Sequence, residues 1–298
     1  MEHRFNNNYD HYYAQIIDVF TELDYPQNFI GQWILPQSDG KAIVSLIQEC
    51  QPRNILEVGT FVGMTTLLMA LITSPETHTH TIDPNFPLRL EMESMRSKLY
   101  DSDAEIRAQE LALKAARRLG IEQRITFHAG GFSTDNTFAS YNTSPESRIQ
   151  VVGPEVCAQH GPFDFIFIDG LHYEDDVFAD LTLAAQHLAP GGVIAVHDVI
   201  GRWASNVRRA VFRFLETRDT FSFSHDAYTR LSHSIGVLRQ APPPSPCDLR
   251  QVDLAKGSLV NERLFPNLAA VLVTRFAPGS VIQIGGDPAF LKTMKNFG

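Results

Sequence analysis

The sequence predicts an α/β fold: a doubly wound, mostly parallel sheet with helices on both faces. Three observations carry that expectation. Short, mostly apolar runs recur along the chain, as buried parallel strands require. Segments of helical periodicity separate most of them. Each apolar run also ends in glycine or polar residues, where open α/β sheets bind ligands.

The elements follow in order. Tyr12, Ile16, Val19, Phe20 and Leu23 share one face of a first helix. "PQSDGKAIVSLIQEC" predicts a second, with Ser38 as its cap and Ile43, Leu46, Ile47 and Cys50 as its stripe. "RNILEVG" is the first strand, "MTTLLMALI" a helix and "HTHTIDP" the second strand. "AEIRAQELALKAARRLG" is an amphipathic helix, from Ala104 to its stop at Gly120. "RITFHAGGF", "FDFIFIDG" and "GGVIAVHDV" are strands three to five. A helix carrying Val177, Phe178, Leu181, Ala185 and Leu188 separates the last two, and Ser205 is the expected cap of another after the fifth.

Two stretches depart from the alternation. Phe132 to Gly161 is largely polar, as lids and substrate loops are. "APPPSPCD" is a semi-rigid proline linker, and the "AAVLV" and "SVIQI" beyond it are too apolar to stay solvated. The expected organisation is a helical cap over 1–50, a core over 51–240, and a linker with a carboxyl-terminal extension over 241–298.

Composition bounds the function. The chain has 298 residues, 44% hydrophobic and 20% charged, as an ordinary globular protein has. Its net charge of -9, from 25 Lys+Arg against 34 Asp+Glu, weighs against nucleic acid or an anionic membrane as partner. Cys50, Cys157 and Cys247 fit neither a repeated metal spacing nor a disulfide framework, so a reducing cytoplasm is expected. "MEHRFNNNYDHYY" has no apolar core of a signal peptide, and no apolar run nears the roughly 20 residues that span a bilayer.

The chemistry concentrates in "ILEVGTFVGMTT". A dinucleotide site wants Gly-x-Gly-x-x-Gly, but Phe61 stands at the second glycine position. The Gly-Lys-Ser/Thr of a phosphate loop is absent as well. Glu57, just before the turn, would repel a phosphate and suits an ammonium group. The turn therefore predicts a ligand without a pyrophosphate.

Glu57 to Gly63 resembles the first motif of class I S-adenosylmethionine-dependent methyltransferases. Asp83 matches the acid that accepts from the cofactor's ribose hydroxyls. "FDFIFIDGLHYEDD" and "LAPGGVIAVHDV" resemble one branch more closely, the bacterial enzymes related to macrocin O-methyltransferase and cephalosporin-hydroxylase-like proteins. The resemblance spans about Gly31 to Gln240. It implies a seven-stranded Rossmann-like sheet, S-adenosylmethionine as cofactor, and a homo-oligomer acting on a small molecule, as in secondary metabolism. It also implies that Gly59, Thr60 and Gly63 approach the methionine moiety, that Thr65 caps the helix above it, and that Gly131 and Phe132 flank the adenine. Tight packing is the structural alternative for the two glycines, and a turn aspartate for Asp83.

Transfer needs a hydroxyl nucleophile with its proton removed. Two devices are open. Asp169 and Asp198 match the strand ends that hold a divalent ion, magnesium or manganese, in the metal-dependent relatives. His197 and Leu171 stand where those relatives carry further acidic or amide groups. Alternatively His172, following Asp169-Gly170, is the base. Arg202 and Trp203 are candidate substrate contacts. His78 and His80 form a His-x-His pair at the start of the second strand, away from the cofactor, and are read as structural. O-methylation is the expected activity. N-methylation, or a noncatalytic protein that retains the fold, is the alternative.

Overall fold

A computed structural model describes residues 7–25, 35–85, 107–134, 149–201, 204–218, 220–225 and 233–240. Helices α1 (Asn7–Glu22) and α2 (Gln37–Cys50) precede β1 (Asn54–Val58), α3 (Met64–Ile72) and β2 (His78–Asp83). Then come α4 (Ala108–Arg118), β3 (Ile125–Ala129), α5 (Gly153–His160), β4 (Phe163–Ile168), α6 (Glu174–Gln186), β5 (Leu188–Val196), α7 (Ala204–Thr217), β6 (Phe221–Ser224) and β7 (Gly236–Gln240).

The sheet has seven strands in the order β3-β2-β1-β4-β5-β7-β6. The first five are parallel, and β7 is antiparallel to both its neighbours. This is the doubly wound, Rossmann-like sheet expected. Alternation sorts the strand residues between the faces. Leu56, Val58, Ile166, Ile168 and Val196 pack with Val177 and Leu181 of α6 and Val211 and Phe214 of α7. Ile55, Phe165, Phe167, Val193 and Ala195 pack on the other side with Ile43, Leu46 and Ile47 of α2 and Met69 of α3. Helix α1 adds Ile16, Val19 and Phe20 to a cluster with α3 and α4.

Three expected caps are not caps. Ser38 lies inside α2, whose N-cap is Pro36; the Pro36 carbonyl accepts from the Asp39 and Gly40 amides at 3.0 and 2.9 Å. Thr65 lies inside α3, which follows a left-handed Gly63. Ser205 lies inside α7, which begins at Ala204. The polar stretch after β3 contains α5, whose Pro154 suits a first helical turn. Strand β5 begins at Leu188, earlier than expected: it takes in "LAP" before the two glycines, so Leu188 lies on the strand and not on the stripe of the preceding helix, which ends at Gln186. Ala104, Arg202, Trp203, the proline linker and the carboxyl-terminal extension lie outside the described residues.

Candidate active site

The chain leaves β1 toward β2 on one side, and β4 continues to β5 on the other, so the switch point lies between β1 and β4. A ligand crevice opens at their carboxyl ends. The loops there touch. The Gly59 amide donates to the Ile82 carbonyl at 2.8 Å, and a Cβ on Gly59 would lie 2.2 Å from the Asp169 carbonyl oxygen. A Cβ on Gly63 would lie 2.6 Å from that of Ala112 on α4. Packing alone therefore requires both glycines. Phe61, at the position where a dinucleotide loop has glycine, is left-handed with φ 46°. Asp83 holds this turn: it accepts from the Phe61 amide at 3.0 Å and the Asn85 amide at 2.7 Å. Burial pushes its pKa up against those bonds.

Glu57 has no exposed surface. Its Oε2 accepts from the hydroxyls of Thr66 and Thr81, the latter at 2.6 Å. Its Oε1 is buried without a hydrogen-bond partner among the described residues. Burial pushes the carboxyl up to about 8. Thr60 meets Thr81 hydroxyl to hydroxyl at 2.6 Å, which continues the network to the turn. Gly131 follows β3; its amide donates to the Gln150 carbonyl and its carbonyl accepts from Val152, at 2.8 and 2.9 Å. The Phe132 side chain packs in the core beside Val156.

Asp169, His172, His197 and Asp198 converge at the ends of β4 and β5. His197 is the hub: its Nδ1 lies 2.7 Å from Asp169 and its Nε2 3.0 Å from Asp39 of α2. Burial opposes a charge on His197, but Asp169, Asp39 and Asp198 outweigh it and hold the imidazole well above its usual range. Both ring nitrogens then donate. Burial likewise opposes a charge on Asp169, and the facing His197 and His172 bring it down to about 2. Asp39, 2% exposed, also accepts from the Ser234 amide at 2.8 Å and hydroxyl at 2.6 Å, and is lowered despite burial. His172 sits above this pair, its Nε2 3.4 Å from Asp169 and 3.2 Å from Asp198. Asp198 is left-handed, φ 58°.

The structure thus brings Asp169, His172 and Asp198 together beside the Gly59 turn. Glu57, Gly59, Thr60, Gly63, Thr65 and Asp83 line up along β1, β2 and α3. Sequence reasoning missed Asp39 and Ser234. Asp39 had a signal: it precedes Ile43 and Leu46 at helical spacing, so an acid falls on an apolar stripe. Ser234 had none.

A doubly wound sheet with a crevice at its switch point is an architecture that binds ligands at the carboxyl ends of its strands. Residues 56–199, just under half of the chain, match the family described as a methyltransferase domain. No curated protein matches the chain. Among solved structures, the O-methyltransferase TomG of Streptomyces achromogenes, involved in tomaymycin synthesis and in complex with SAM, is 18% identical. That match covers 77% of this chain and 89% of TomG, with a TM-score of 0.48. An O-methyltransferase from Bacillus cereus in complex with SAH is 18% identical over 77% of this chain and 91% of its own, with a TM-score of 0.47. A methyltransferase from Geobacter sulfurreducens is 15% identical over 77% and 87%, also at 0.47.

Proposed function

We propose that this chain binds S-adenosylmethionine and transfers its methyl group to a hydroxyl of a small molecule. The observation that carries the cofactor reading is Glu57: a buried carboxylate oxygen with no donor, beside a glycine turn that lacks the features of a phosphate cradle. An ammonium group is the donor it lacks. Asp83, Gly59, Thr60 and Gly63 would hold the ribose and methionine parts from the same strand ends, with Gly131 and Phe132 on the adenine side.

Bound there, the cofactor supplies an electrophilic methyl on a sulfonium. The chain's own residues must orient a hydroxyl and take its proton. Asp169 and Asp198 both lie close to His172 Nε2, at 3.4 and 3.2 Å, so in this reading Nε2 carries the proton and Nδ1 takes the one from the hydroxyl. Once His172 accepts the hydroxyl proton, the two carboxylates stabilise the imidazolium. His197 keeps a positive charge beneath them and fixes Asp169 in place.

Magnesium or manganese on Asp169 and Asp198 suits these residues less well. The counter-charge an ion would provide is already present on His197, and Asp169 Oδ1 already faces two imidazoles. One observation favours the metal: donor atoms of Asp169, His172 and His197 lie within 4.8 Å of one another. That set suits a softer ion than magnesium. Chelation separates the readings, since a metal-assisted enzyme loses turnover in chelator and a histidine-assisted one keeps it.

The core spans 51–240 in this reading, with the helical cap before it and the 241–298 extension mediating homo-oligomer contacts. A cytoplasmic location is supported by the free thiols of Cys50 and Cys157. No helix among the described residues is long and apolar enough to cross a membrane. The direct test is calorimetric titration with S-adenosylmethionine, S-adenosylhomocysteine and NADH. The first two should bind and the third should not; binding of NADH alone would overturn the proposal.

A further inference from the structure

A second group of histidines lies away from this crevice. Strands β2 and β3 pair in parallel with His80 opposite Thr126 and Ile82 opposite His128. His80 and His128 therefore share one face, a diagonal step apart. That face is opposite the one where Thr81 meets Glu57, because adjacent strand residues point oppositely. His80 also lies three residues, about 10 Å along the strand, before Asp83. Helix α5 crosses over this face and ends at His160, whose ring stacks on that of His80 at 4.2 Å between centroids. The ring of His128 is 5.7 Å from that of His160. His80 Nδ1 and His128 Nε2 are 3.2 Å apart, and one ring nitrogen from each of the three lies within 4.8 Å of the others.

We propose that His80, His128 and His160 form a zinc site that clamps α5 to strands β2 and β3. Tetrahedral zinc with bonds of about 2.0–2.1 Å needs its nitrogen ligands about 3.3–3.4 Å apart. The His80–His128 pair is already near that spacing. The third nitrogen lies within 4.8 Å of the other two and needs to close by up to about 1.5 Å, within reach of a ring rotation at half-buried His160. The donor set selects the ion. Three imidazoles without a carboxylate suit zinc and exclude magnesium or calcium. His128 and His160 are only partly buried, so the fourth position opens toward solvent for a water or an anion.

The cluster is also anchored from behind. The His160 carbonyl accepts from the Asn54 side chain at 2.7 Å, and the His128 carbonyl accepts from the Gln109 side chain at 3.0 Å. His78 Nε2 is bonded to Thr126 at 2.7 Å, which leaves it outside the ligand set. The start of α5 is tied to Gly131 after β3. A metal at its other end would thus steady the segment that follows β3 into the crevice. The competing account is a metal-free stack in which His80 and His128 share an ordinary N–H···N hydrogen bond.

The test uses the full chain, stripped with chelator, in a His172→Gln background so that the carboxyl-end cluster is disabled. Zinc titration should show one equivalent bound, and Co²⁺ should give the visible bands of a tetrahedral centre at one equivalent. His128→Gln and His160→Gln should each weaken zinc by about 100-fold or more, beyond the 10–100-fold of a lost outer-shell partner, and abolish the cobalt bands. His78→Gln should leave both unchanged. His160 closes a helix at a half-buried position, so its variant should fold, and near-ultraviolet circular dichroism checks that it does. Zinc affinity that is the same with and without His128 and His160, or no zinc uptake by the folded stripped protein, would overturn the site.

Discussion

At the carboxyl ends of β4 and β5, His197 lies between Asp169 and Asp39; on β2 and β3, His80 lies between His128 and His160. Both rings are largely buried in the same sheet. Carboxylates hold His197 charged, whereas burial and the neighbouring His160 drive His80 down to about 3. The same side chain is a fixed cation in one place and a neutral donor of lone pairs in the other. Neighbours decide this, not depth, because burial pushes both imidazoles toward neutrality. The first arrangement can orient and stabilise charge during proton transfer; the second is ready for a soft cation.

The largest expected effect falls on the crevice side. If His172 is the base, His172→Ala should lose about 10²–10⁴-fold in methyl transfer. S-adenosylmethionine affinity should stay within about threefold, since the proposed cofactor contacts lie on β1, β2 and the turn after β3 and not on His172. Chelator should leave the wild-type rate intact. A His172→Ala enzyme with near-normal turnover would remove the crevice cluster from the chemistry.

The next effect tests the charge on His197. Asp39→Ala leaves the imidazolium with one close partner fewer, and breaking a buried ion pair costs about 3–5 kcal/mol. Urea denaturation at neutral pH should show it. The pH dependence has a definite sign. Asp169 has a folded pKa of about 2 against an ordinary 3.8, so its contribution is present above 3.8 and lost as pH falls toward 2. His197 is raised, so its contribution is full below 6.5 and is lost only as pH climbs through its elevated folded value. The joint contribution of Asp169 and His197 should therefore stay constant from about pH 4 to above neutrality, and Asp39→Ala should flatten its alkaline loss.

The two clusters also differ in how much of them the sequence reveals. Asp169 follows its apolar strand directly and Asp198 one residue after its own, so their place at the sheet's carboxyl edge is legible from the apolar runs alone. Asp39 is legible in principle, as a carboxylate on the apolar stripe of α2. His128 and His160 are not. They lie 48 and 80 residues beyond His80, and only the β2–β3 register and the crossing of α5 bring them together. Likewise β6 and β7 pair antiparallel with each other, outside the parallel strand–helix alternation that makes the equally short β1 and β3 legible. Ser38, Thr65 and Ser205 failed as caps for another reason: each helix starts one or more residues earlier, where Pro36 or Gly63 already sets the turn in two of the three.

A smaller effect concerns Glu57, the other group that burial holds away from its usual state. With a pKa of about 8 it is mostly protonated at neutral pH in the free protein. An ammonium ligand needs the carboxylate, so binding must release a proton. S-adenosylmethionine affinity should rise by up to about tenfold per pH unit toward pH 8, and calorimetry in buffers of different ionisation enthalpy should detect the proton. Glu57→Gln should weaken the cofactor by about 1.5–3 kcal/mol, roughly tenfold to a hundredfold. It should also stabilise the fold above pH 8. A raised carboxyl contributes its stability below about 4.5 and loses it as pH rises through about 8, and the amide has no such loss. PH-independent affinity would mean that Glu57 does not meet the cofactor.

The smallest expected effect sits on the histidine cluster and runs opposite to that of His197. The folded pKa of His80 is about 3, below the 6.5 of an ordinary imidazole. Between those values the unfolded chain takes up a proton that the folded chain refuses, so stability falls as pH drops from about 6.5 toward 3. Replacing His80 with leucine removes this titration and keeps an apolar ring-sized side chain against Phe163, whose ring lies 5.9 Å away. Going from pH 7 to pH 5, metal-free wild type should therefore lose about 1 kcal/mol more than His80→Leu, once solvent screening at the half-buried neighbours is allowed for. Excess zinc should widen that difference, because the ion binds only neutral imidazoles and protons displace it as pH falls. Parallel acid limbs for the two proteins, with and without zinc, would show that His80 is not held neutral by its surroundings, and the contrast with His197 would reduce to geometry alone.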